Sequence, residues 1–156
     1  MEPERRLPDR SHPAHGILEF DAKPTIVFVT ICTEKRVPWL ATEFNHTLFR
    51  SVCQRATAWH LGRYMLMPDH LHGFVSPGDI DLSIDSWIKY VKSQFRKEHP
   101  DKSLRWQTDH WDTRLRNGES YDEKWQYVLN NPVRAGLVER AHDWPYQGEL
   151  FPLRWE

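Results

Sequence analysis

The residues with the most evident chemistry are two histidines separated by one residue, His70-Leu71-His72. Alternate residues of a β-strand lie on the same face of the sheet, so a strand here would present both imidazoles together. Two imidazoles at that spacing can chelate one divalent ion. The same short pattern is also compatible with two unrelated surface histidines, or with a zinc site of another kind that would need further ligands. The other histidines, at positions 12, 15, 46, 60, 99, 110 and 142, show no partnering motif.

A tyrosine and an asparagine one helical turn apart form the second candidate group. The capping-box pattern at Ser120 predicts a helix that begins just after this residue, and Pro132 predicts that it ends at about Asn131. Its apolar face would hold Tyr121, Trp125, Val128 and Leu129. Tyr127 and Asn131 lie roughly opposite and are neighbours at i, i+4. The helix would therefore present a phenol and an amide oxygen to one point, which suits a nucleophile beside a metal ligand. A tyrosine that packs on another element and an asparagine that only ends a helix are also compatible with the pattern.

The surrounding pattern predicts the elements that must position these groups. β-branched and aromatic residues predict strands, and apolar residues at helical spacing predict helices. In chain order these are a strand at 25–33, a helix at 43–59, strands at 63–67 and 70–76, a helix from about 84 to 100, and a short strand at 104–109. The order predicts an α+β ferredoxin-like sandwich, with an antiparallel sheet, two helices on one face and an added C-terminal catalytic helix. Leu71 and Val75 would pack under the helices, and the two histidines would lie on the open face.

Basic and aromatic residues indicate where nucleic acid could bind. The second helix carries a positive stripe, away from its apolar face, that could follow a phosphate backbone. A second group interleaves arginine with tryptophan, a pattern typical of base stacking and phosphate contact. The candidate DNA-binding residues are Lys89, Lys92, Arg96, Trp106, Arg114 and Arg116. A solvated helix face and core tryptophans with capping arginines are the alternatives.

Length and composition predict one compact domain. The chain has 156 residues and a formal net charge of −1, so any affinity for nucleic acid must come from a local patch. We expect a loose, proline-rich arm at 1–23, a single domain at 24–150 and a tail at 151–156. Two cysteines make no disulfide framework, and neither a secretory signal nor a membrane span is predicted. We therefore expect a cytoplasmic protein with no membrane partner and no small-molecule cofactor.

Three motifs together resemble a known family. Residues 64–75, YMLMPDHLHGFV, resemble the histidine signature of HUH endonucleases. Residues 106–138 are similar to the hallmark segment of REP-associated tyrosine transposases, single-tyrosine enzymes of the IS200-like type, in which a Trp-Gln and a Leu-Arg precede a Tyr-x-x-x-Asn-Pro helix. Residues 24–41 are similar to that family's first strand and the loop after it. The resemblance covers residues 20–150, nearly the whole predicted domain.

The resemblance implies a function and roles for the residues above. It implies a divalent metal, Mg²⁺ or Mn²⁺, bound by His70, His72 and Asn131, and a catalytic nucleophile at Tyr127. The expected activity is an endonuclease and strand transferase that cuts and rejoins single-stranded DNA at hairpin-forming repeats through a 5′-phosphotyrosine. A non-catalytic protein of the same fold that binds structured single-stranded nucleic acid is the alternative. We expect a monomer, although a site completed across a dimer is compatible with the family.

Overall fold

The computed structural model describes residues 25–116 and 118–154. The predicted arm at 1–23 lies outside the described residues, as do the last two residues of the predicted tail. No helix in the described ranges combines the length and the hydropathy needed to cross a bilayer.

Five strands and four α-helices make up the described chain. In order they are β1 (Val27–Thr33), α1 (Glu43–Arg55), β2 (Trp59–Leu66), β3 (His70–Pro77), α2 (Ile84–Glu98), β4 (Trp106–Arg114), α3 (Gly118–Leu129), α4 (Asn131–Arg134) and β5 (Gln147–Glu149). Single 3₁₀ turns lie at Glu34–Arg36 and Ala141–Asp143. The helices α1 and α2 begin at side-chain caps, where Thr42 and Ser83 accept a hydrogen bond from a backbone N–H three residues later.

The sheet confirms the predicted fold. Its strand order is β4-β1-β3-β2-β5, with every pair antiparallel, so the first four strands have the ferredoxin-like arrangement and β5 is added at one edge. The helices α1 and α2 cover one face. Their apolar side chains, among them Phe49 and Ile88, pack with Val29, Leu71 and Val75 of the sheet in one buried cluster.

The second face of the sheet is not open, which corrects the sequence-based expectation. The helix α3 and the C-terminal segment cover part of it and form a second core cluster. Tyr121 and Val128 of α3 are buried there, and Trp144 donates from Nε1 to the Leu66 carbonyl oxygen at 2.9 Å. His72 lies at the margin of this cluster, with its ring stacked on Phe28. The candidate site is therefore a partly enclosed recess rather than a bare sheet surface.

Several element boundaries differ from the prediction. The helix α1 ends at Arg55, and Trp59 instead begins β2, where it is 3% exposed. A buried tryptophan satisfies both patterns, so periodicity alone could not separate them. The strand β4 extends to Arg114, well beyond the predicted end, because an edge strand with one partner needs little apolar character. The helix α3 begins at Gly118, which places Ser120 inside it, and ends at Leu129.

Candidate functional site

The strand β3 presents the two histidines on the same face, as predicted. His72 pairs with Thr30 of β1, and the Thr30 hydroxyl is 2.9 Å from His72 Nδ1. His70 Nδ1 is 2.8 Å from Asp69 Oδ1. The two ring centroids are 4.8 Å apart. Arg36 Nη2 also lies 3.4 Å from His70 Nδ1. Each Nδ1 thus has a polar neighbour, in the manner of imidazoles whose other nitrogen binds a metal.

Asp69 links His70 to a cation from a distant loop. Arg36 Nε donates to Asp69 Oδ2 at 3.1 Å, while the other carboxylate oxygen faces His70. Burial opposes ionisation of Asp69, but hydrogen bonds from His70 and Arg36 outweigh it and lower the pKa of this carboxyl. Lys35 and Arg36 both have positive φ, 55° and 56°, a conformation that costs energy in non-glycine residues. The loop thus holds Arg36 at the histidine pair in an unfavourable backbone conformation.

Burial keeps both imidazoles neutral. It lowers the pKa of His70, and it lowers the pKa of His72 to about 3, where His70 and the nearby cations Lys124, Arg134 and Arg36 add to the effect. The carboxylate beside His70 Nδ1 requires a proton on that nitrogen, which leaves the Nε2 lone pair for a metal. Neutral imidazoles with their Nδ1 atoms engaged are chemically suited to a divalent ion, and the binding of one by His70 and His72 stays a prediction.

Tyr127 lies in the last turn of α3, off its apolar face. Its side chain is among the exposed large hydrophobic residues, at 56% exposure. The Arg134 guanidinium carbon is 4.0 Å from the centre of its ring, and Lys124 Nζ is 6.0 Å from the same point. Asn131 begins the next helix, α4, and its Oδ1 accepts a hydrogen bond from Arg134 Nη2 at 3.3 Å. Arg134 therefore contacts both the predicted nucleophile and the third predicted metal ligand.

A chain of contacts joins the tyrosine helix to the histidine strand. Lys124 Nζ is 4.9 Å from the centre of the Phe28 ring, and that ring lies 5.2 Å from the His72 ring in a stacked arrangement. Lys124 and Tyr127 are on the same side of α3. The structure therefore brings the predicted nucleophile and the predicted metal ligands to the same side of the sheet within one chain.

The predicted DNA-binding residues of α2 lie in the other layer of the molecule. Lys92 Nζ donates to the carbonyl oxygen of Gln107 at 2.8 Å, and Arg96 Nε donates to that of Leu104 at 3.3 Å. Burial lowers the pKa of Lys92. Lys89 is exposed. Two of the three cations thus tie α2 to the segment before and within β4, and a role of the stripe in DNA binding stays a prediction.

The fold places the tryptophan and the two arginines of the second predicted DNA-binding group in different surroundings. Trp106 packs against the main core, with its ring 5.1 Å from that of Trp39, so its position favours the core alternative over base stacking. Arg114 and Arg116 are exposed. Arg114 pairs with Val27 at the end of β1 that lies away from the histidines. Their contact with DNA is likewise still a prediction.

A second group of potential metal ligands was missed in the sequence. His110 Nε2 lies 3.0 Å from Asp85 Oδ1 and 3.1 Å from Asp112 Oδ2, and the three side chains could together hold a metal ion. His110 pairs with Ile31 of the main core, so this group lies on the opposite face of the sheet from His72. The spacing of His110 and Asp112 repeats the alternate-residue pattern of the histidine pair and could have revealed them. Asp85 comes from α2, and only the fold brings it near.

Comparisons with known proteins agree with the motifs. No family model matches the chain. A REP-associated tyrosine transposase of Escherichia coli strain K12 is 26% identical, with 84% of each chain covered. A Haemophilus influenzae relative described as a transposase of the same kind is 23% identical, over 85% of this chain and 88% of the relative. The structure of a REP-associated tyrosine transposase bound to a REP hairpin matches with a TM-score of 0.69 and 24% identity, over 80% of this chain and 76% of the other.

The chain therefore has the ferredoxin-like α+β fold of the solved transposase and is similar to proteins named tyrosine transposases. More particularly, the chain is a homologue of REP-associated tyrosine transposases, which confirms the resemblance drawn from its motifs.

Proposed function

We propose that this protein is a metal-dependent single-stranded DNA endonuclease and strand transferase. It would cut and rejoin DNA at hairpin-forming repeats through a 5′-phosphotyrosine intermediate. Two named relatives are tyrosine transposases, and the solved neighbour is bound to a REP hairpin. The observation that carries the proposal is the position of Tyr127, which is 56% exposed and stacked by Arg134, on the same side of the sheet as the two neutral histidines.

The proposed metal ligands are His70, His72 and Asn131. A bound divalent ion would polarise the phosphorus and offset negative charge in the transition state. Two imidazoles are softer donors than Mg²⁺ prefers, so Mn²⁺ should support activity better. Asp69 and Thr30 would keep the imidazoles oriented through their Nδ1 atoms.

Tyr127 would supply the nucleophile. A free tyrosine has a pKa of about 10 and is mostly protonated at neutral pH, so the site must assist its attack. The tyrosine oxygen forms a bond to phosphorus as the bond to the 3′ oxygen breaks, and the released 3′-hydroxyl carries the proton that the phenol gave up. The covalent bond conserves the energy of the phosphodiester. A second 3′-hydroxyl can therefore reverse the step and join new ends.

We propose that a monomer is the active form. In support, Lys124 of α3 contacts both the Tyr127 ring and Phe28, and Phe28 stacks on His72 of the same chain. An inactive pair of proteins, one with Tyr127→Phe and one with His70→Ala and His72→Ala, should therefore not regain activity when mixed.

The proposed nucleophile is tested by Tyr127→Phe. The probe is a single-stranded oligonucleotide that folds into an imperfect hairpin, with Mn²⁺ present. We expect the wild type to form a protein–DNA adduct that survives a denaturing gel, and Tyr127→Phe to bind the probe without forming it. Tyr90→Phe is the matched control, because Tyr90 is also exposed, at 48%, but lies on α2.

Two outcomes would overturn the proposal. Nicking by Tyr127→Phe at the wild-type rate would exclude this nucleophile. Tight binding by the wild type, with neither a nick nor an adduct at any probe, would favour the non-catalytic binding protein of the same fold.

A further inference from the structure

Arg134 is placed at the proposed site without a role in the reaction described above. Its guanidinium carbon lies 4.0 Å from the centre of the Tyr127 ring, a close face-to-cation contact. It comes from α4, the short helix that follows the turn after α3. The exposed Tyr127 ring of α3 is therefore in contact with a positively charged side chain from a different helix, α4.

Only part of the guanidinium is used by the protein. Arginine has five N–H donors in a planar fork that matches the oxygens of a phosphate. In the described part of the chain, Arg134 donates to one acceptor, Asn131 Oδ1, through Nη2 at 3.3 Å. Because the guanidinium carbon is 4.0 Å from the centre of the ring, its other donors also stay beside the phenol, close to where an anion bonded to the phenolic oxygen would lie.

The electrostatic surroundings favour an anion at this point. Two cations lie against the Tyr127 ring, with the Arg134 guanidinium carbon 4.0 Å and Lys124 Nζ 6.0 Å from its centre. Asp69, the carboxylate beside the histidine pair, is already bound by Arg36 and His70. A phosphodiester is the anion that the proposed reaction requires here.

We propose that Arg134 is a further catalytic residue, which holds the non-bridging oxygens of the scissile phosphate against the Tyr127 hydroxyl. This inference rests on the proposed function. Arg134 would bind the phosphate as the tyrosine–phosphorus bond forms and the bond to the 3′ oxygen breaks. It would then hold the phosphate in the 5′-phosphotyrosine until a 3′-hydroxyl returns. The residue forms no bond and transfers no proton, so the atoms and charges of the exchange are unchanged.

The test compares Arg134→Gln and Arg134→Lys with the wild type. Rates of adduct formation are measured in a single turnover at saturating oligonucleotide, and binding is measured separately by fluorescence anisotropy in EDTA. Loss of one preorganised donor to a developing charge costs about 100-fold or more in rate. We expect about that loss of rate for Arg134→Gln and a smaller loss for Arg134→Lys. Binding by Arg134→Gln should weaken only about fivefold near 0.1 M salt, as the loss of one phosphate contact implies. The matched control is Arg55→Gln, which changes a half-exposed arginine at the end of α1 that pairs with Glu98 of α2.

A substrate change separates phosphate contact from mere positioning of the tyrosine. A neutral methylphosphonate at the cut position lacks the charged oxygen that Arg134 would bind. The difference between the wild type and Arg134→Gln should therefore shrink to a few-fold on this substrate. If neither protein cuts it, the lysine variant decides, because lysine restores charge without the flat stack. If Arg134→Lys forms the adduct on the ordinary phosphodiester substrate at least about tenfold faster than Arg134→Gln, the result supports contact with the phosphate.

Three results would overturn the inference. These are a wild-type rate in Arg134→Gln, an undiminished difference on the methylphosphonate, or a lysine variant no faster than the glutamine variant. Thermal unfolding of each variant excludes misfolding as the cause of a slow rate. Failure of the wild type to form any adduct would instead count against the proposed function itself.

Discussion

At the scale of single residues, burial separates the tyrosines into different kinds of chemical group. Tyr64 is fully buried and Tyr121 is 6% exposed. Burial raises the pKa of both phenols, which makes them poor nucleophiles. Tyr127 is exposed between Arg134 and Lys124. The helical wheel had already placed Tyr127 off the apolar face, so this distinction could be predicted from residue spacing.

A second residue-scale feature is the hydrogen-bond network around Tyr64. Arg50 Nη1 donates to the Tyr64 hydroxyl oxygen at 2.6 Å, and His46 Nε2 lies 2.6 Å from the same oxygen. The Tyr64 hydroxyl accepts from Arg50 and can donate its own proton to a neutral His46. Burial, with a smaller effect of Arg50, lowers the pKa of His46 below its ordinary value of 6.5.

This network predicts that acid destabilises the protein through His46. The unfolded chain takes up a proton at this histidine below about pH 6.5, whereas the folded chain does so only at lower pH. The contribution of His46 to stability is therefore complete above pH 6.5 and is lost as the pH falls towards the folded-state pKa. We expect the unfolding free energy of His46→Gln to fall less between pH 7 and pH 5 than that of the wild type, as measured by urea denaturation. His142→Gln, at a 74% exposed side chain, is the control, and equal pH slopes for wild type and His46→Gln would contradict the prediction.

At the scale of elements, the sheet separates two groups that could bind a metal, with one group on each of its faces. His70 and His72 lie on the side covered by α3, and Asp85, His110 and Asp112 lie on the side covered by α2. The first group has neutral nitrogen donors, while the second includes the 3% exposed Asp112 carboxylate. Either donor set is chemically suitable for Mn²⁺.

Thermal unfolding with and without Mn²⁺ distinguishes the two groups. A ligand that binds only the folded state stabilises it. Free Mn²⁺ at about ten times its Kd should raise the melting temperature by roughly 4 °C in a domain of this size. We expect this rise in the wild type and in Asp112→Asn, each compared with its own value in EDTA. It should be absent when His70 and His72 are both replaced by alanine. The reverse pattern would assign the metal to the Asp85 group.

At the scale of the whole molecule, charge is local rather than global. The net charge is −1, yet Arg36, Lys124 and Arg134 all lie near His72. The cations Lys92 and Arg96 of the opposite layer already donate to carbonyl oxygens. We therefore expect DNA binding to depend on a small number of phosphate contacts.

The salt dependence of binding measures that number. Each neutralised phosphate of a single strand contributes about 0.7 to the slope of log K against log salt, so three cations predict a slope of about −2. Replacement of Lys89, Lys92 and Arg96 together by glutamine should leave the slope unchanged. A wild-type slope near −4 that falls to −2 in this triple variant would show instead that the stripe on α2 contacts DNA.

Local patterns determined the elements and the faces on which the main candidates lie. Alternation on a strand placed His70 and His72 together, and helical spacing placed Tyr127 away from Val128. These conclusions need only the number of residues after which side chains return to the same face of a strand or helix, which local geometry fixes. Boundaries were less certain, because the buried Trp59 fits a helix stripe and a strand equally well.

Only the tertiary structure decided which groups from distant segments meet. It covered the second face of the sheet with α3 and the segment that carries Trp144, brought Arg36 to Asp69, and placed Asp85 beside His110. It also positioned α4 so that the Arg134 guanidinium lies over the Tyr127 ring. Such contacts depend on how the packed elements bury apolar surface and pair charges across the whole domain. The periodic spacing of neighbouring residues carries no information about them.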